Sequence, residues 1–92
     1  MILYKAEEWQ GADGKWHIGC VSNLGNNSNC WYYPARILGI SPADFITLLM
    51  DKYEAECHWL GNILVYKWES QTKARKWKNF INKRAREVKF YI

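Results

Sequence analysis

Seven basic residues lie between Gln71 and Arg86, and no acid lies among them. They are Lys73, Arg75, Lys76, Lys78, Lys83, Arg84 and Arg86, interleaved with Asn79 and Asn82. Lysine and arginine neutralise phosphates and release their counterions. Arginine also offers a fork that matches a phosphate or a guanine edge, and asparagine can pair with adenine. The chemistry these residue types suit is recognition of a polyanion.

Their spacing gives the set a direction. On a helix, residues three, four and seven apart share a side. Ala74, Trp77, Ile81 and Ala85 then form an apolar stripe, with Phe80 at its edge. Arg75, Asn79, Asn82 and Arg86 fall opposite, with Lys76 and Lys83 beside them. These six residues are the candidate nucleic-acid or anion-binding set. Long basic side chains also serve solubility on an ordinary solvated helix. Such a helix, however, usually mixes signs in i,i+4 pairs, and this segment shows none.

Other reactive side chains are scattered. His17, Cys20, Cys30, Cys57 and His58 are zinc-ligand types. Their spacing contains no Cys-x₂-Cys knuckle, and Cys57 and His58, adjacent on a strand, point to opposite faces. Scattered cysteines in a small intracellular core are more often apolar fillers. Nothing in the sequence sets a base beside a thiol for nucleophilic catalysis. Glu7 and Glu8 are neighbours on a strand and point apart, which weighs against joint acid–base work. Gly11-Ala12-Asp13-Gly14-Lys15 lacks the following helix of a phosphate loop. The expectation is a non-enzymatic chain with no metal and no cofactor.

Charge along the chain sharpens the partner question. Lys67–Ile92 carries nine Lys and Arg against Glu69 and Glu87, a net of +7, whereas residues 1–66 carry −3. A polarised charge of this kind is a statement about partners: nucleic acid, or an acidic protein surface. A membrane surface fits poorly, because the stripe opposite the bases contains two alanines and is needed for the core. No apolar run approaches the ~20 residues of a membrane span. Met1–Trp9 holds Lys5, Glu7 and Glu8 where a signal peptide needs an apolar centre. Three cysteines are too few, and of the wrong parity, for a disulfide framework. A reducing, cytoplasmic setting is expected, in which the sequon Asn26-Asn27-Ser28 stays unglycosylated.

The elements that must position these residues can be read in outline. Ninety-two residues make one domain, 1–92. Six Trp, six Tyr and three Phe supply large apolar area to a small core that cannot cover all of them. Ile2–Trp9 reads as a strand with Ile2, Tyr4 and Ala6 on one face. Asp13-Gly14 supplies a tight turn into a return strand, Lys15–Ser22, with Trp16, Ile18 and Cys20 on one face. Asn23–Asn29 reads as a polar loop, and Cys30–Tyr33 as a short aromatic strand closed by Pro34 or leading into a helical turn there. Ser41, Pro42 and Asp44 spell a helix start at N-cap, first and third positions, with Ile40 and Phe45 placed for a hydrophobic staple. That helix should reach about Tyr53. Glu56–Leu60 and Ile63–Trp68 form a second hairpin, Ser70 caps a second helix from Gln71 to about Arg86, and Val88–Ile92 ends the chain as a strand.

The order ββαββαβ implies an antiparallel sheet with helices on one face, an α+β fold. The signatures of the helix-turn-helix, the zinc finger and the aromatic RNA-binding sheet are all missing. The expected function is a small binding module whose second helix contacts nucleic-acid phosphates. The alternative is an inhibitor or adaptor that docks its basic face on an acidic partner. Trp31-Tyr32-Tyr33 is a second candidate surface, for base stacking or a protein contact. An apolar last strand would also leave a sheet edge open to a homodimer.

Overall fold

A computed structural model of the chain describes residues 2–22, 25–27, 31–61 and 63–92, with the backbone alone at 20–22, 25–27 and 63. The fold is α+β. Strands β1 (Lys5–Gln10), β2 (Trp16–Ser22), β4 (Glu56–Leu60) and β5 (Ile63–Trp68) form an antiparallel sheet in the order β1-β2-β5-β4. Helices α1 (Tyr32–Leu38), α2 (Pro42–Thr47) and α3 (Gln71–Val88) pack with it. Alternation decides the buried face. Tyr4, Ala6, Ile18, Leu64, Tyr66 and Trp68 point at the helices and are buried, while Trp9, His17, Val65 and Lys67 take the opposite face and are only partly covered. Phe45 and Leu49 fill the helical side, and Ala74, Trp77, Ile81 and Ala85 hold α3 down, all fully buried.

Local signals explain where the helices begin and end. The Ser41 hydroxyl accepts the Asp44 N–H at 3.2 Å, with Pro42 at the first helical position. Ser70 caps α3 in the same way, accepting from Lys73 at 3.4 Å. Gly39 and Lys89 adopt left-handed φ of 67° and 54° just past α1 and α3. There the Ile40 N–H returns to the Ala35 carbonyl at 3.1 Å and the Phe90 N–H to the Ala85 carbonyl at 3.0 Å, satisfying carbonyls the helix leaves over.

Four local expectations change. Trp31-Tyr32-Tyr33 opens helix α1 rather than forming a strand, with Trp31 at the N-cap. Pro34 fits the first turn because its missing N–H would have had no helical partner there. Part of the loop expected at Asn23–Asn29 is a three-residue strand, β3 (Gly25–Asn27), paired with β2; Asn23, Leu24, Ser28 and Asn29 lie outside the described residues, as do Cys30 and Asn62. The helix from Pro42 leaves α geometry at Leu48 and continues as a π-helical segment to Lys52. Finally, α3 runs through Val88, so the last strand shrinks to one antiparallel bridge between Tyr91 and Leu3.

That bridge changes the sheet edge. Ile2 and Ile92 exchange N–H···O bonds of 3.0 and 2.8 Å, and the Tyr4 N–H donates to the Phe90 carbonyl at 2.9 Å. Residues 90–92 thus cover the edge at Ile2–Tyr4, just ahead of β1, instead of adding an open strand. Among the described residues β4, at the other end of the sheet, pairs with no strand on its outer edge, and neither does β1 itself beyond that bridge.

Candidate nucleic-acid interface

Helix α3 divides its bases among three directions, because its neighbours bring acids and open backbone to its two flanks. Toward β1 it turns Arg75, Lys78 and Asn82. Glu8, on β1, accepts from Arg75 Nε and Lys78 Nζ, both at 2.8 Å, through one carboxylate oxygen. Burial pushes the Glu8 carboxyl up, but hydrogen bonds from Lys78, Arg75 and Gln71 outweigh it and leave the group below the ordinary carboxylate range. Asn82 makes a two-pronged contact. Its Oδ1 accepts the Ala6 N–H at 2.7 Å and its Nδ2 donates to the Ala6 carbonyl at 3.0 Å. The side-chain amide stands in for a neighbouring strand and continues the edge closure begun by Phe90 and Ile92.

On the other flank, Lys73 pairs with Glu54, which follows the π-helical segment. Near the C-terminal end Arg84 reaches Glu87 at 3.8 Å. The expectation of a basic face without acids therefore fails. Apart from Glu87, the acids lie 67 residues away on β1 and just before β4, where sequence neighbours cannot show them.

A central row remains. Lys76, Asn79, Lys83 and Arg86 are all exposed, and Lys76, Lys83 and Arg86 make no ion pair among the described residues. At 1.5 Å per residue the row is about 15 Å long. Of the six residues proposed from sequence, these four lie together and face outward. Arg75 is committed to Glu8, and Asn82 to the β1 backbone. Beside Asn82 a cavity of about 240 Å³, lined by Leu3, Tyr4, Lys5 and Arg86, borders the lower end of the row.

Two groups near α3 escape a helical-wheel reading. Lys52 and Tyr53, at the end of the π-helical segment, line one cleft with Glu54, Lys73 and Lys76. The only sequence signal for it was Lys52 itself, one of four bases in an otherwise acidic stretch.

The aromatic candidate is partly outside. Tyr32 is 54% exposed and Trp59, on β4, 49% exposed. Trp31 bridges them, with ring centroids 6.1 Å from Tyr32 and 6.4 Å from Trp59. Arg36 lies over the Tyr32 ring at 5.5 Å. Trp, Tyr and Arg are the types most used at protein–protein hot spots.

The remaining reactive groups are dispersed. Cys57 is half-buried and free, and burial pushes its thiol up to about 11, so at neutral pH it is a thiol and not a nucleophilic thiolate. His17 stacks on Trp9 at 5.2 Å and sits 3.4 Å from Asp13. Asp13 also takes the Lys15 N–H and Lys67 Nζ, which together hold its carboxyl well below the usual range. His58 is exposed. Among the described residues no three His, Cys, Asp or Glu gather as a metal site, and no helix is long and apolar enough to cross a membrane.

No protein-family model matches this chain, and neither a curated protein nor a solved structure matches it significantly.

Proposed function

We propose that the chain is a small non-enzymatic binding module whose helix α3 lays Lys76, Asn79, Lys83 and Arg86 along nucleic-acid phosphates. The observation that carries this reading is the contrast within one helix. Arg75 and Lys78 share the Glu8 carboxylate and Lys73 pairs with Glu54, while the central row keeps three unpaired cations in line. Unpaired exposed cations are the ones free to replace counterions on a polyanion. The test is fluorescence anisotropy of labelled single- and double-stranded oligonucleotides at low salt, with the double variant Lys83→Glu/Arg86→Glu. Binding that disappears in the variant supports the reading. Absence of binding at 50 mM salt ends it.

A second reading rests on a different surface. Tyr32, Trp59 and Arg36 beside the unpaired β4 edge favour a protein partner, which the basic row would help to orient if that partner is acidic. Capture from the native host that survives nuclease treatment, and is lost in Trp59→Lys, selects it. The same edge is where a homodimer would form, in place of the last strand. Its exposed Leu60 and Trp59 lack the lysine or proline that commonly guards an edge.

A further inference from the structure

The cleft between the π-helical segment and α3 has a volume of about 270 Å³ and is walled by Lys52, Tyr53, Glu54, Lys73 and Lys76. Three lysines meet one acid there. That acid sits on an unusual backbone. Glu54 has φ 59°, a left-handed conformation that Cβ disfavours and that glycine adopts freely. It follows the wide π turn, which closes with the Ala55 N–H on the Leu49 carbonyl at 2.9 Å. Both features are uncommon, and both tend to gather at functional sites. Here they set Lys52 and Glu54 on the same cleft as two lysines from α3.

The Glu54 carboxylate already occupies the electropositive part of that cleft. Lys73 binds it, and Lys76 attracts it from further off. Lys52 Nζ lies 5.9 Å from the centre of the Tyr53 ring. With Glu54 counted, the walls still carry two uncompensated positive charges, the complement of a phosphate monoester dianion. Lys76 belongs both to this cleft and to the outward row, so a strand lying on the row would bring one end here.

We infer that the cleft is a phosphate monoester site that takes the terminal phosphate of a nucleic-acid strand, with the Glu54 carboxylate as the internal ligand it displaces from Lys73. This rests on the nucleic-acid reading of the row but is tested apart from it. The site needs no covalent step. The phosphate replaces Glu54 on Lys73, and Glu54 moves into solvent.

The first experiment adds inorganic phosphate, at matched ionic strength in chloride, to ¹⁵N-labelled protein. Amide shifts concentrated at 52–55 and 73–76, abolished in Lys52→Ala/Lys73→Ala, support the site. Shifts spread over all lysines, or none at tens of millimolar, overturn it. Glu54→Gly removes the competing carboxylate and also relaxes the backbone, so it should keep its fold and bind phosphate about two- to fivefold tighter, the range of one exposed ion pair. Unchanged or weaker phosphate binding by Glu54→Gly also overturns it. The second experiment compares one single strand with a 5′-phosphate, a 3′-phosphate or neither. Tighter binding of one phosphorylated end, lost in the Lys52→Ala/Lys73→Ala variant, supports the assignment to a strand end. Equal binding of all three refutes that assignment and leaves the row reading standing. Phosphate in the cleft with no oligonucleotide binding refutes the row and the strand end together, and assigns the cleft to a free phosphate monoester.

Discussion

Asn79 and Asn82 stand three residues apart on one helix and look interchangeable in sequence, yet the structure gives them opposite duties. Asn79 is exposed in the outward row, whereas Asn82 closes the β1 edge through both polar groups of Ala6. Ala6 itself is fully buried, so its N–H and carbonyl have little access to water if Asn82 is shortened. Each net hydrogen bond contributes about 0.5–1.5 kcal/mol, and each buried group left unpaired costs about 1–3 kcal/mol. Asn82→Ala should therefore destabilise the fold by about 2–4 kcal/mol. In a domain of this size 1 kcal/mol moves the melting temperature by about 4–8 °C, so a drop of roughly 10–25 °C is expected. Asn79→Ala should stay within about 0.5 kcal/mol of the parent, as exposed substitutions do. Thermal unfolding followed by far-ultraviolet circular dichroism measures both, with oligonucleotide affinity measured well below the transitions. Equal melting temperatures for the two variants would refute the edge-closure argument. So would an Asn82→Ala protein that melts normally but no longer binds, since Asn82 would then be a contact residue.

Other expectations follow from the same contacts. Three free cations on a duplex predict a log–log salt slope of about −2.7, or about a 40-fold loss of affinity between 50 and 200 mM salt; a slope near −5 would show that Arg75, Lys78 and Lys73 leave their acids to join in. Glu8 has a folded value below its unfolded one, so its contribution is complete above the unfolded value and disappears as pH falls through the folded one. Urea midpoints should accordingly decline below about pH 5, and Glu8→Gln should flatten part of that decline. Trp68 and Trp77 are both fully buried, but the Trp68 indole N–H donates to the Tyr53 carbonyl at 2.8 Å while that of Trp77 has no partner among the described residues. Trp68→Phe should therefore cost about 1–3 kcal/mol more than Trp77→Phe in urea unfolding, because only it orphans a carbonyl and loses a bond. Light scattering should show mass above the 10.9 kDa monomer at high micromolar concentration, returning to it in Trp59→Lys.

The parts of the fold legible in sequence were those set by neighbours a few positions apart. Ser41, Pro42 and Asp44, the Asp13-Gly14 turn, Ser70, and the spacing of Ala74, Trp77, Ile81 and Ala85 each carry their instruction locally. What was illegible depends on partners distant in sequence or on geometry without a residue code. Glu8 reaches Arg75 and Lys78 only after β1 docks beside α3. Asn82 continues along Ala6, 76 residues away in sequence, the edge that Phe90 and Ile92 cover at Tyr4 and Ile2. The π turn at Leu48–Lys52 and the left-handed Glu54 come without a glycine to announce them.

This sorting of charge changes what the basic helix can recognise. A face several residues wide, free on both flanks, could enter a duplex groove and reach phosphates on either strand. Here one flank is tied to Glu8 and Ala6 and the other to Glu54. The free part is one row about 15 Å long, the axial length of between four and five nucleotide steps at roughly 3.4 Å each. A row one side chain wide tracks a single backbone, so a second strand adds charge but few contacts. Single strands of about five nucleotides should then capture most of the affinity that a duplex of the same length provides, and lengthening the strand should add little beyond extra binding registers. On the nucleic-acid reading proposed above, the sign of the partner rests on the charge count, but its strandedness rests on which bases Glu8 and Glu54 already pair.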